Sequence, residues 1–158
     1  MPKGTYCIIF KLKNKLTITV KSGKTYTLQR GTYIYVGSAW NGGGIESRVK
    51  RHLKKDKKKH WHLDFITTTK EFEAQKVITI PNKKAECEVA SLLNRNYIGI
   101  EKFGCSDCSC FSHLFKITQK EITKVINTLQ NLYNIEIYKS EAFQEEQIGD
   151  KRDTQQNS

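Results

Sequence analysis

Four short runs within the first 36 residues constrain this chain most, because each reads as a strand and two of them carry a tyrosine. Cys7 to Phe10 is almost wholly apolar, and Thr32 to Val36 is β-branched and aromatic, the composition that a pleated, buried surface favours. Between them, Leu16 to Val20 and Thr25 to Leu28 flank Lys21-Ser22-Gly23-Lys24, a Ser-Gly turn that reads as a hairpin. The chain therefore folds back, and Tyr6 and Tyr35 are expected on one sheet face. A glycine-rich turn, Asn41-Gly42-Gly43-Gly44, leads into a basic helix carrying Arg48 and His52. Tyrosines, an arginine and a histidine near a strand-to-helix turn suit phosphate chemistry.

The helical signals come next. From about Gly44 to Lys54, Ile45, Val49 and Leu53 recur at i, i+4 and i+8, with Arg48 and His52 four apart on one flank of that stripe. Lys54 to Lys59 is a charge run, five of its six residues lysine, expected as a solvated basic loop. In His60-Trp61-His62-Leu63-Asp64-Phe65, an extended chain would put His60, His62 and Asp64 on one face and Trp61, Leu63 and Phe65 on the other. That polar face reads as a second phosphate or metal site, or as a link that fastens the basic loop. Phe72 to Ile80 reads as a strand stopped by Pro81-Asn82, with Asn82 as N-cap of a helix from Lys83 to about Tyr97. Ala85, Val89, Leu92, Leu93 and Tyr97 form its apolar side. Glu86 projects near the middle of that side, where a carboxylate is costly unless paired, protonated or bound to a metal, and Glu88 points away. Thr118-Gln119-Lys120-Glu121 matches a capping box, followed by the stripe Ile122, Val125, Ile126, Leu129 and Leu132.

Together these elements predict a single α+β domain over residues 1–139, a small and mainly antiparallel sheet flanked by helices, with a disordered polar tail over 140–158. The chain has 158 residues, 27 Lys+Arg against 16 Asp+Glu, and a net charge of +11. Without residues 140–158 the balance is 25 basic to 11 acidic, or +14. Such a body attracts nucleic acid, since each neutralised phosphate releases counterions; the plain alternative is a solvated surface. Lys50, Arg51, Lys54, Lys55, Lys57, Lys58, Lys59, His60 and His62 are the expected contacts. No run reaches the ~20 apolar residues that span a bilayer. No apolar leader follows Met1, so neither a membrane nor a secretory route is expected. Five cysteines, an odd number, fit a reducing compartment, and the cytoplasm is the expected location. Cys105, Cys108, Cys110 and His113 have the ligand types for zinc, though the spacing is tight for a ribbon; the alternative is a packed loop of buried thiols.

These segments resemble the GIY-YIG nuclease superfamily, with Gly4-Thr5-Tyr6 and Tyr35-Val36-Gly37 standing for its two namesake motifs. Arg48 falls where that superfamily carries its arginine, and Glu86 where it carries a metal-binding glutamate. The likeness is closest to the small stand-alone Uri-type endonucleases. It extends through Tyr35 to Ala39, Arg48 to His52, His60 to Asp64, Glu86-Cys87, Phe103 to Cys108 and Ser112-His113-Leu114, roughly residues 4 to 117. Thr5 replaces the usual isoleucine, and no asparagine after the glutamate helix is a clear match.

The resemblance implies hydrolysis of DNA phosphodiesters with one divalent metal, Mg²⁺ or Mn²⁺, leaving 5′-phosphate and 3′-hydroxyl ends. It implies Glu86 as metal ligand, Arg48 as phosphate clamp, Tyr6 as general base with a lowered phenol pKa, Tyr35 as orienting group, and His52 as phosphate ligand or proton relay. Read singly, the tyrosines are ordinary sheet aromatics, Arg48 a surface cation and Glu86 a partner for lysine. Two rivals follow: a catalytically inactive nucleic-acid-binding module on the same scaffold, and a small zinc-binding interaction protein. RNA remains an alternative to DNA, because no base-stacking motif separates them.

Overall fold

The first strand alternates two sets of large side chains, and each set is fully buried under its own helical layer. A computed structural model describes residues 2–105 and 108–144 of the chain. Strand β1 (Gly4–Leu12) lies between β4 (Gly31–Ala39) and β5 (Phe72–Pro81), antiparallel to both. The strands β6 (Ile98–Gly99) and β7 (Leu114–Ile117) extend the sheet beyond β4, and β8 (Glu136–Lys139) extends it beyond β5. The order is β6-β7-β4-β1-β5-β8, with every neighbouring pair antiparallel. The expected hairpin is present as a separate two-stranded ribbon, β2 (Leu16–Thr19) and β3 (Thr25–Leu28), with Gly23 at φ 92° in its turn.

Tyr6, Ile8 and Phe10 face one layer with Tyr33 and Tyr35, packed under Ile45, Val49 and Leu53 of α1 (Gly44–Leu53). Leu63 and Ile66, at and beside α2 (Asp64–Thr67), complete that core. Cys7, Ile9, Ile34 and Val36 face the other layer. They pack under Val89, Ala90 and Leu93 of α3 (Glu86–Asn96) and under Ile122, Val125 and Leu129 of α4 (Glu121–Leu132). Full burial of one such aliphatic side chain stabilises by about 1.5–3 kcal/mol. The two-faced strand, with alternate residues committed to opposite cores, holds the register in place. This is the α+β architecture expected.

Several boundaries move. The His60 to Phe65 segment is a turn running into α2, because backbone N–H groups of His60 and Trp61 both donate to the Asp64 carboxylate (2.7 and 2.9 Å) and curl the chain. Asn82 does not cap a helix: it sits at φ 59° in a turn, and α3 begins four residues later without a side-chain cap of its own. Thr118 and Glu121 exchange the reciprocal bonds of the capping box (2.9 and 3.2 Å), but Leu132, at the end of the stripe, is exposed. The expected boundary at 139/140 falls inside the fold. Strand β8 pairs with β5, and a 3₁₀ turn over Ser140–Phe143 buries Phe143 against Tyr138. The rest of the expected tail, 145–158, lies outside the described residues.

Candidate active site

Strand β4 outruns β7, and the site lies in the space this leaves. The two pair only from Thr32 to Tyr35, after which the Val36 N–H turns to the His113 carbonyl (2.9 Å). The end of β4 therefore borders a cleft of about 210 Å³, with room for a phosphate group and several waters. All five expected catalytic residues line it: Tyr6 from β1, Tyr35 from β4, Arg48 and His52 from α1, and Glu86 from α3. Trp61, Gly104, Cys108 and His113 complete the wall.

Local sequence explains this convergence. Tyr6 is paired with Gly37 across the ladder, and a Cβ on Gly37 would collide with the Tyr6 ring and hydroxyl. The glycine of the second segment thus makes room for the tyrosine of the first. Gly4 has φ 153°, and a Cβ there would strike the Ile80 carbonyl. Thr5, fully buried, accepts the Ala85 N–H (2.9 Å) and donates to the Lys83 carbonyl (2.8 Å). Its hydroxyl, from β1, thus holds the two backbone groups that lead into α3. Glu86 is the next residue along, so Thr5 ties β1 to the point at which the acidic residue starts its helix. Alternation alone had marked Thr5 only as a strand residue.

Charge is distributed around His52 and Asp64. The Tyr6 hydroxyl lies 2.8 Å from His52 Nε2. Asp64 Oδ1 is 3.9 Å from His52 Nδ1, which favours the ring hydrogen on Nδ1 and leaves Nε2 to accept from Tyr6. Burial, then the neighbouring Lys57 ammonium, holds His52 neutral by pulling its pKa down to about 3, against the opposing pull of Asp64. Burial pushes the Tyr6 and Tyr35 phenols well up, with Tyr35 adding to the rise at Tyr6 and Glu86 to that at Tyr35, and Arg48 offsets only part. The lowering expected of Tyr6 as a general base called for a metal as well as nearby cations, and of these the protein alone supplies only the partial offset from Arg48. Burial also raises Asp64, but hydrogen bonds from Arg51 and from the His60 and Trp61 backbones, with Lys57 nearby, bring it down to about 2.

Arg48 donates to the Ser38 carbonyl (3.1 Å) and lies 4.5 Å from the centre of the Trp61 ring, so a planar contact and a hydrogen bond hold its guanidinium at the cleft. Glu86 accepts from Ser38 Oγ (3.2 Å), and its other oxygen sits 3.1 Å from His113 Nδ1. The Glu86 side chain keeps 29% of its surface exposed, so a carboxylate oxygen remains available from the cleft side.

Residues 5–134 match the family model described as "Domain of unknown function DUF123". The chain belongs to the DUF123 family. No curated protein matches it, and no solved structure does.

The basic loop of this DUF123 domain divides in two. Lys50, Lys54, Lys58, Lys59 and His60 are exposed, Lys50 beside Glu46 (2.9 Å). The other expected contacts are engaged within the protein. Arg51 makes a two-pronged contact with Asp64 (3.1 and 3.2 Å). Lys57 has a side chain only 5% exposed and lies 3.4 Å from Asp64; it donates to the Arg51 and His52 carbonyls, and burial lowers its pKa to about 8. Lys55 donates to the Thr69 and Phe72 carbonyls (2.8 and 3.1 Å). His62 accepts the Gly104 N–H at Nδ1 (2.7 Å) and so holds the loop after β6. His60, His62 and Asp64 share no face: Asp64 is the fastening, His62 holds a different loop, and His60 is at the surface.

In the same domain Cys87, Cys108, Cys110 and His113 bring their ligand atoms within 4.8 Å of one another, a group that could hold a metal ion. Cys105, expected in that set, stands outside it, its thiol 3.5 Å from the Phe103 carbonyl. Cys87 takes its place. Spacing could not find Cys87, which lies in the first turn of α3, far from the other three in sequence; its one signal was adjacency to Glu86. Among the described residues, no helix is long and apolar enough to cross a membrane.

Proposed function

We propose that this DUF123 protein is a metal-dependent endonuclease of the GIY-YIG kind, hydrolysing DNA phosphodiester bonds. The observation that carries the reading is the meeting of Tyr6, Tyr35, Arg48, His52 and Glu86 in one cleft from four separate elements. Two tyrosines on one sheet face are common; two tyrosines, a neutral buried histidine, an aimed arginine and a partly exposed carboxylate around one space are not.

The donor set fits a hard divalent cation. Glu86 offers carboxylate oxygen at the cleft, and a single carboxylate suits Mg²⁺ or Mn²⁺, which keep several waters and take phosphate oxygens. Bound there, such an ion supplies charge neutralisation at the phosphate and a more acidic water. The protein groups do the rest. Arg48 binds non-bridging phosphate oxygens through its guanidinium edge. Tyr35, a neutral phenol, donates to a phosphate or water oxygen. Tyr6 takes the proton of the attacking water while passing its own to His52 Nε2, so no free phenolate is required despite the raised phenol pKa. Asp64 faces the imidazolium that forms. The softer Cys87, Cys108 and Cys110 donors suit zinc rather than Mg²⁺. The exposed lysines around residues 54–59 receive the flanking backbone, and the free thiols suit a reducing, cytoplasmic setting.

Supercoiled plasmid and branched or flapped DNA, incubated with Mg²⁺ or Mn²⁺, test this. The wild-type protein should cut, and Glu86→Ala and Arg48→Ala should not. Cutting that survives both substitutions removes the assigned site. Salt-sensitive binding with no cutting on any substrate replaces the enzyme by a binding module, and the same binding series on RNA decides the nucleic acid.

A further inference from the structure

We propose that Cys87, Cys108, Cys110 and His113 hold one Zn²⁺, and that His113 joins this ion to Glu86. The zinc site stands on its own; its consequence for Glu86 as a cation ligand rests on the nuclease reading. Three thiols and one imidazole are a complete Cys₃His set for tetrahedral zinc. At usual zinc–ligand distances, neighbouring ligand atoms lie roughly 3.5–4 Å apart. The four here already fall within 4.8 Å, and Cys108 Sγ is 3.3 Å from His113 Nε2, so little inward movement closes the site.

Burial adds a second observation. His113 is 3% exposed, and its Nδ1 lacks a well-directed hydrogen bond although Glu86 Oε2 is 3.1 Å away. A neutral imidazole that gives Nε2 to a metal must carry its one ring hydrogen on Nδ1. That nitrogen faces Glu86. The result is a carboxylate–histidine–metal relay, the usual way a metal-bound histidine is oriented. The ligands come from α3 and from the loop before β7, so zinc ties that loop to the helix carrying Glu86. Cys108 and His113 also line the cleft, which makes the zinc site one of its walls. His113 is thus a positioning residue: it holds one oxygen of Glu86 while Ser38 holds the other.

Elemental analysis of the full-length protein, purified without added zinc, should find about one equivalent. Cys87→Ser and Cys108→Ser should lose it, and Cys105→Ser should keep it. Co²⁺ replacing Zn²⁺ should give the visible bands of a tetrahedral thiolate site. Less than about one-tenth equivalent, with no Co²⁺ spectrum from the reduced protein, overturns the site. So does a disulfide among Cys87, Cys108 and Cys110 in protein kept under reducing conditions. For the link to Glu86, zinc affinity measured against a chelator should fall roughly tenfold or more in Glu86→Gln. Ring nitrogen NMR should place the His113 hydrogen on Nδ1, with a resonance that shifts in the same variant. An unchanged affinity and an unshifted resonance overturn the link. Zinc bound as described in a protein that cuts nothing supports the site and removes the nuclease reading.

Discussion

The two faces of the central sheet are built from the same strands and do different work. The α3–α4 face is packed with Ile9, Ile34, Val36, Ile78, Val89, Val125 and Leu129, and its energetics are those of apolar burial. The α1–α2 face buries the same kind of aliphatic residue but adds Tyr6, Tyr35, His52 and Asp64, groups that cost free energy to bury unless each is partnered. The first face is held mainly by volume and apolar contact, the buried Thr5 hydroxyl apart. The other holds an ordered chain of polar contacts, from Lys57 and Arg51 through Asp64 and His52 to the Tyr6 hydroxyl. The difference teaches where to look for chemistry in a small α+β fold: where the buried layer tolerates least substitution for reasons other than volume.

Removing Asp64 should break the contrast most severely. Asp64→Ala leaves the Arg51 guanidinium and the buried Lys57 ammonium without their counter-charge and should cost about 3–5 kcal/mol in urea unfolding. A cost below about 1 kcal/mol would mean that water already screens this carboxylate. Paired variants sharpen the comparison. Tyr6→Phe should lower cleavage by about 10²-fold or more, beyond the roughly 1–3 kcal/mol of stability lost by leaving buried His52 Nε2 without its partner. Leu129→Ala should lose about 2–5 kcal/mol of stability while leaving cleavage per folded molecule unchanged. If both lose activity in proportion to stability, the faces do not differ in function.

A smaller effect is expected at Thr5. Thr5→Val keeps the shape but strips the Ala85 N–H and Lys83 carbonyl of their partner, a loss of about 1–3 kcal/mol with slower cleavage through a misplaced Glu86. A pH series tests the same face without any substitution, and near neutral pH its effect is slight. His52 has a folded pKa near 3 against 6.5 for an ordinary histidine, so below pH 6.5 the unfolded chain binds the proton first. Stability should fall as pH drops from 6.5 toward 3, by at most about 1.4 kcal/mol per unit from this group. Asp64, held near 2 against 3.8, loses its own contribution below about pH 4. His52→Gln should flatten the upper part of that slope in pH-dependent unfolding.

The strand pattern was legible because alternation has a fixed period: β1, β4, β5 and the β2–β3 hairpin fall where period and turn chemistry put them. The helix stripes of α1 and α4 were equally plain. Contacts between distant segments were not. Asp64 looked like part of an extended polar face because its claim on two backbone N–H groups depends on the chain curling around it. Strand β8 was missed because Glu136–Lys139 is only four residues long and gains its partner only from β5. Thr5 and Cys87 act on segments far from them in sequence, and no spacing rule links them. The candidate site was readable as a set of residues through family likeness. Its electrostatics were not: burial, a three-dimensional quantity, raises both tyrosine pKa values and lowers that of His52.

The early end of β7 has a consequence for how such a domain can change over time. Because β7 pairs with only the first part of β4, Gly104, Cys108 and His113 reach the cleft from a loop tied to the ladder near its ends, through Ile100 and His113. Away from Phe103, Gly104, Cys108, Cys110 and His113 its length can change without disturbing a strand register, since loop closure costs only about 0.6 kcal/mol per doubling of length. Tyr6, Tyr35, Arg48 and His52 meanwhile stay fixed to rigid elements. The cleft is thus walled by two kinds of backbone, rigid strands and helices on one side and a loop open to insertion on the other.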